Sequence, residues 1–296
     1  VYRYALVAGT VAKNHDFDVI HAHDWLTYSA GIIAKKISGK PLIVHVHATE
    51  YDRGGEFNRN TLVYDIEKRG MEAADRVVTV SNWTRNIVIE KYGIPAEKVI
   101  TVHNAVDFKT DTEDREERGI KDKIVTFLGR ITLQKGPEYF VEAAAKVMKR
   151  LPNVRFVMAG SGEKMNPLVR RVAQLGLGTR FHFTGFLRGN DVQRMFRYSD
   201  VYVMPSVSEP FGISPLEAMR SGVPTIISKQ SGVAEVLHHA IKVDYWDINA
   251  LADAIYGVLA YPTLSNFMQR EGYEEVNQLK WETASLKLKK IYESLM

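Results

Sequence analysis

The chain contains no cysteine in 296 residues. Disulfides, thiolate nucleophiles and cysteine-ligated metals are therefore excluded, while the compartment stays open. Long apolar runs are missing as well. No stretch approaches the ~20 apolar residues of a membrane span. Excess charge of one sign is also lacking. A net charge of +4, from 39 Lys and Arg against 35 Asp and Glu, is only a mild basic lean. No basic stretch is interleaved with aromatics, so nucleic acid is not expected as a partner. A solvated surface accounts for the lysines and arginines, and a phosphorylated substrate or an acidic membrane face is the alternative they leave open. Low-complexity tracts are absent. The first residue is Val1 and not methionine, so a fragment or processed product is expected and the lack of a signal peptide carries no information.

What is present is a balanced globular composition, 45% hydrophobic and 25% charged, with room for two domains. Apolar β-rich runs alternate with helical stretches. Strands are expected at 18–22, 42–47, 76–80 and 99–103, with helices such as 27–37 and 83–91 between them. A charged run without core residues, 109–123, reads as a linker. The pattern then restarts, with strands expected at 124–128, 155–159, 181–184, 201–204 and 225–228 and a weaker sixth at 241–244. Strands alternating with helices imply parallel sheets. The expectation is α/β: two Rossmann-like domains facing a cleft, the first (1–108) incomplete and the second spanning 124–275. A C-terminal helix within 276–296 presents Trp281, Leu288, Ile291, Tyr292 and Leu295 on one face, which suits packing against a domain.

The most informative run is Glu209-Pro210-Phe211-Gly212-Ile213-Ser214-Pro215-Leu216-Glu217. It follows the buried strand expected at 201–204. Pro210 and Gly212 block regular structure, and Ser214-Pro215 reads as N-cap and first helical residue. Free amides of Gly212, Ile213 and Ser214, backed by a helix dipole and flanked by two carboxylates, would suit a sugar nucleotide: amides for phosphate, carboxylates for hydroxyls. Taken alone, a glutamate in a first helical turn is ordinary dipole complementation. A strand, a loop and a helix N-terminus in succession is, however, where open α/β sheets bind ligands.

Arg130 and Lys135 stand five apart on the loop after the strand at 124–128, where two cations can neutralise a diphosphate. Gly160-Ser161-Gly162 follows another strand; it is a weak dinucleotide fingerprint but a reasonable floor for close backbone approach. Gly185-Phe186-Leu187 reads as a loop able to contact a base. In the first domain His21-Ala22-His23-Asp24-Trp25 leaves a strand, and His23 is favoured for a substrate hydroxyl. His45, His47 and His103-Asn104 end other strands, and the polar loop from Ala48 to Gly55 suits an acceptor. A zinc site on His21 and His23 has no partner cluster of the usual spacing, so no metal is expected. Asp16-Phe17-Asp18 precedes a strand and reads as turn chemistry.

Together these pieces resemble the retaining glycosyltransferases of the GT-B fold, family four, near glycogen and starch synthases. The residues that carry the resemblance are Glu209 to Glu217, Gly129-Arg130 with Lys135-Gly136, Gly160-Ser161-Gly162, Ser81-Asn82, and His103 through Asp107. The His21-to-Trp25 run looks like the acceptor-side strand of glycogen synthases. The resemblance implies a nucleotide-sugar donor, UDP-glucose or ADP-glucose, and a glycan or other hydroxyl acceptor. It implies Arg130 and Lys135 on the diphosphate, Glu217 on the ribose, and Glu209 and His23 at the transferred sugar. Gly129, Gly160, Leu187, Phe211, Gly212, Ile213 and Ser214 would line the donor site. It implies no cofactor and no metal, because cations and amides stabilise the leaving group. It implies a cytoplasmic location, with the inner membrane face as a second one. Relative to the family, the first strand and its Gly-rich loop are missing ahead of Val1, which leaves two outcomes open: full transfer, or nucleotide-sugar binding with at most hydrolysis. It also leads to an expectation of self-association through the shortened first domain.

Overall fold

The computed structural model describes residues 1–56, 58–106 and 119–296, which form two compact units. Most of the expected linker, 109–118, lies outside the described residues, as does Asp107. The first unit joins Val1–Ala105 to Lys280–Met296, and the second is Val106–Leu279.

The first unit is built on four parallel strands, β1 Ile20–His23, β2 Leu42–Val46, β3 Arg76–Thr79 and β4 Val99–Thr101, ordered β1-β2-β3-β4. Alternation along each strand divides the side chains between two layers. Ala22, Leu42, Val44, Val46 and Val77 pack with Tyr28, Met71, Val88 and Tyr92 from the helices Trp25–Ser38, Thr61–Ala73 and Asn82–Tyr92. The opposite layer sets Ile43, Val78 and Val102 against Ala284 and Ile291 of the C-terminal helix Trp281–Glu293. Local chemistry fixes the helix ends. Asn60 and Ser81 accept amide hydrogen bonds as N-caps, and Gly39 and Gly93 close helices in the left-handed conformation. An additional helix, Tyr2–Asn14, lies against Trp25–Ser38, with Gly9 so near that a Cβ there would be 2.8 Å from Ile33 Cγ2.

The second unit holds six parallel strands: β5 Lys123–Leu128, β6 Val154–Ala159, β7 Phe181–Gly185, β8 Val201–Met204, β9 Thr225–Ser228 and β10 Ile241–Val243. Their order is β10-β9-β8-β5-β6-β7. The chain therefore winds outward from β5 to one edge, returns, and winds from β8 to the other. This is the doubly wound arrangement, with its switch point between β5 and β8. Phe127, Phe140, Phe156, Val203, Ile226 and Ile255 are fully buried in its core.

Both units are parallel α/β layers, as the alternation predicts. The differences lie at the ends. β1 starts at Ile20 and not residue 18, because its first partner, Leu42, opens β2. β4 stops at Thr101 and not residue 103, because β3 ends at Thr79, which pairs with Thr101. Asp16–Asp18 lies in the turn before β1. Among the described residues no helix is long and apolar enough to cross a membrane.

Candidate active site

The loops after β5 and β8 leave adjacent strand ends in opposite senses and open a crevice at the switch point. Two of the segments singled out in the sequence meet there. Lys135, at the end of a 3₁₀ turn Leu133–Lys135, makes an ion pair with Glu209 from the β8 loop. The carboxylate also accepts from Ser206 Oγ at 3.2 Å. Glu209 is only 6% exposed, so its charge is held by a cation and a hydroxyl and not by bulk water. Its backbone is clamped from a third loop: Glu209 N donates to Gln230 O at 3.0 Å, and Gly232 N donates to Glu209 O at 2.9 Å.

Gln134 joins the two loops, and sequence reasoning did not single it out. Its amide Nε2 donates to Ser208 O at 3.1 Å, its carbonyl accepts from Val207 N at 2.8 Å, and its Oε1 accepts from Arg130 Nη2 at 3.2 Å. Arg130 is exposed, with its fork open to an anion on the remaining nitrogens. Gly136 brings the loops close. It is left-handed, and a Cβ there would lie 2.0 Å from Pro205 O. Gly160 does the same for the β6 loop, where a Cβ would lie 1.8 Å from Gly129 O. Gly129 N and Ile131 N donate across to Ala159 O and Ser161 O at 3.0 and 2.9 Å.

The helix after Glu209 is Ser214–Arg220, and its N-cap is Ile213. The expectation that Ser214 caps it is corrected. The Ser214 hydroxyl instead sits 2.8 Å from the Tyr202 hydroxyl, because Tyr202 of β8 is fully buried and needs a polar partner. Among the described residues the amides of Gly212, Ile213 and Ser214 have no backbone carbonyl partner. Gly212 takes φ 102°, which aims this short amide run. The helix is only two turns long, so the loop amides matter more than its dipole. Phe211 is buried, and its carbonyl accepts from Val233 N at 2.8 Å. Glu217 is half-buried in the first turn. Burial raises its pKa, with Arg220 opposing.

Leu187 follows Gly185, whose carbonyl accepts from Gly160 N at 2.8 Å. With Thr184, Asp191 and Arg194, Leu187 lines a cavity of about 280 Å³. The neighbouring Phe186 is 66% exposed beyond the carboxyl end of β7.

In the first unit His23 is the last residue of β1 and is exposed. It stacks among His21, His45 and His47, a face that strand pairing assembles from two distant sequence pairs. Asp24 follows at φ 57°, an unfavourable value for a side chain with a Cβ. It is held there because Oδ1 accepts from His47 N at 2.8 Å. A second cavity, of about 300 Å³, lies beneath the C-terminal helix and is lined by His45, His103, Asn104, Trp281, Ser285 and Leu288.

Comparison with known proteins adds two family matches. Residues 110–275 match the family described as Glycosyl transferases group 1, and residues 1–110 match Glycosyltransferase Family 4. A glycosyltransferase of Methanocaldococcus jannaschii is 34% identical over 239 residues, which is 76% of this chain and 61% of that protein. Glycogen synthase of Mycobacterium tuberculosis is 23% identical over 282 residues, 93% of this chain and 68% of the relative. The crystal structure of Anabaena HepE in complex with UDP and glucose superposes with a TM-score of 0.84 at 22% identity, covering 99% of this chain and 81% of that one. The chain thus spans less than two thirds of the Methanocaldococcus relative's length.

Proposed function

This chain belongs to the group 1 glycosyl transferases, and on that premise we propose that it moves a hexose, glucose as the first choice, from a nucleotide-sugar donor to a hydroxyl of an acceptor glycan. The observation that carries the reading is the Lys135–Glu209 pair at the switch point of the second sheet, with Arg130 on the same loop. A diphosphate placed there meets two cations and the amides of Gly212, Ile213 and Ser214. The Anabaena structure, which holds UDP and glucose on the same fold, supports a uridine nucleotide as the first donor to test.

In this reading the bond between the sugar C1 and the phosphate oxygen breaks, and the oxygen keeps the electron pair. Arg130 and Lys135 stabilise that charge, which grows toward the transition state. The acceptor oxygen attacks C1 from the face the leaving group vacates, and its proton passes to the departing phosphate oxygen. Configuration is retained. Glu209 orients the sugar hydroxyls, and its pairing with Lys135 places sugar and diphosphate in one register. Glu217 accepts from the ribose hydroxyls, Phe186 offers a face to the base, and His23 contributes on the acceptor side. No metal is assigned to the diphosphate, because the cations serve its charge.

The test is a transfer assay with UDP-glucose and ADP-glucose, α-glucan and simple glycoside acceptors, and mass-spectrometric detection. An α-linked product is expected. Hydrolysis of the donor with every acceptor left unmodified would overturn transfer and leave a donor-binding protein.

A further inference from the structure

We propose that the histidine face of the first sheet is a binding site for a divalent transition-metal ion of the zinc class, held by His21, His23 and His45. The site follows from strand register. His21 and His23 alternate onto one face of β1, and His23 stands directly beside His45 on β2. One ring nitrogen from each of the three lies within 4.8 Å of the others.

Two members of this cluster have buried ring nitrogens that no group among the described residues satisfies. His45 is 95% buried by its 5% exposure, yet neither of its ring nitrogens has a hydrogen-bond partner. His21 Nε2 is likewise buried and unpartnered. Burial of a polar group without a partner is unfavourable, so a core assembled only for packing would use apolar residues here. The remaining nitrogens are supported from outside, as metal-binding histidines usually are. His21 Nδ1 lies 2.6 Å from Tyr292 Oη, and His23 Nδ1 lies 2.9 Å from His47 Nε2.

Donor chemistry selects the ion. Three imidazoles without a carboxylate among them suit Zn²⁺, Co²⁺, Ni²⁺ or Cu²⁺ and not Mg²⁺ or Ca²⁺. A tetrahedral ion at Zn–N of about 2.0–2.1 Å needs nitrogens roughly 3.4 Å apart. The rings are now nearly stacked, His21 on His45 at 5.3 Å between centroids. Closing the triad therefore takes rotation about χ2, a soft torsion in histidine. His23 is exposed, so water or an oxygen ligand has access to the fourth position.

The proposal concerns the first unit and shares His23 with the acceptor side of the proposed transfer, so the test reads metal binding alone. Full-length protein without a histidine tag is treated with EDTA, dialysed, and titrated with ZnCl₂ by calorimetry and with CoCl₂ by visible spectroscopy. One saturable ion per chain and ligand-field bands of a nitrogen-ligated cobalt are expected, with no such site for MgCl₂. His23→Gln changes an exposed side chain and should preserve the fold while weakening the site by at least about tenfold. His21→Ala should do the same, and His238→Ala, at an exposed histidine of the second unit, should not. Absence of a saturable site, or a site that survives both His23→Gln and His21→Ala, would overturn the proposal. Activity enters none of these readouts, so their failure leaves the proposed transfer standing.

Discussion

Glu217 shows how one side chain can report a ligand. Its half-buried carboxyl has a pKa raised above the ordinary 4.5, chiefly by burial. Such a group favours the protonated form in the folded protein, so its contribution to stability is present below the unfolded pKa and fades as pH rises through the folded one. Nucleotide binding has the opposite sign, because ribose hydroxyls prefer the ionised carboxylate. Affinity for the free nucleoside diphosphate should therefore fall as pH is lowered through the raised pKa, and the fall should be absent in Glu217→Ala. That variant should lose about 1.5–3 kcal/mol of binding at neutral pH. Calorimetry across pH measures both, and an unchanged affinity would remove the ribose role. Arg130 and Lys135 separate by burial. Arg130→Ala changes an exposed side chain and should lower turnover more than nucleotide affinity, without a folding cost. Lys135→Ala also strands the buried Glu209 carboxylate, and should lower thermal stability by up to about 3–5 kcal/mol besides lowering turnover. Adding Glu209→Gln to Lys135→Ala should return part of the stability and none of the turnover. Steady-state kinetics paired with thermal melts tests the separation.

At the scale of elements, glycine decides whether the site closes. Gly136 has a left-handed φ of 62° and meets Pro205 O where a Cβ would sit. Asparagine tolerates the dihedral but not the contact. Both Gly136→Ala and Gly136→Asn should therefore push the β5 and β8 loops apart, with a stability loss of about 2 kcal/mol or more and weaker nucleotide binding. If Asn were tolerated where Ala is not, backbone strain and not proximity would be the cause. The same scale shows what the sequence could carry. Strand interiors were legible, because apolar runs such as 201–204 and 225–228 are bounded by turn residues. Helix ends were legible less well. Ser214-Pro215 carries the pattern of an N-cap, but buried Tyr202 draws the Ser214 hydroxyl away. The Lys135–Glu209 pair spans 74 positions and exists only because β8 returns beside β5. Periodicity names strands but does not order them. The histidine face was hidden for the same reason, since His21-x-His23 and His45-x-His47 become one cluster only once β1 and β2 pair in register.

For the whole molecule, the C-terminal helix decides which parts of the chain fold together. The chain leaves the first unit after Ala105 and returns to it at Lys280, and within the second unit Val106 N donates to Leu279 O at 3.5 Å. The helix Trp281–Glu293 covers Ile43, Val78 and Val102 on one face of the first sheet. Parallel sheets need both faces covered, and on this face the C-terminal helix supplies Ala284 and Ile291. Ile291 is buried at its centre, and Ile291→Ala should cost about 2–4 kcal/mol, felt by the first unit alone. Deleting residues 280–296 should go further and leave the first sheet open on one side. The second unit, with its own six-stranded sheet and core, should keep its fold. In calorimetry and hydrogen exchange the deletion should abolish the first unit's transition and protection. Nucleotide binding and the second unit's transition should persist. Loss of nucleotide binding together with the helix would mean that the donor site depends on the first unit, and would refute the assignment of that site to residues 106–279 alone.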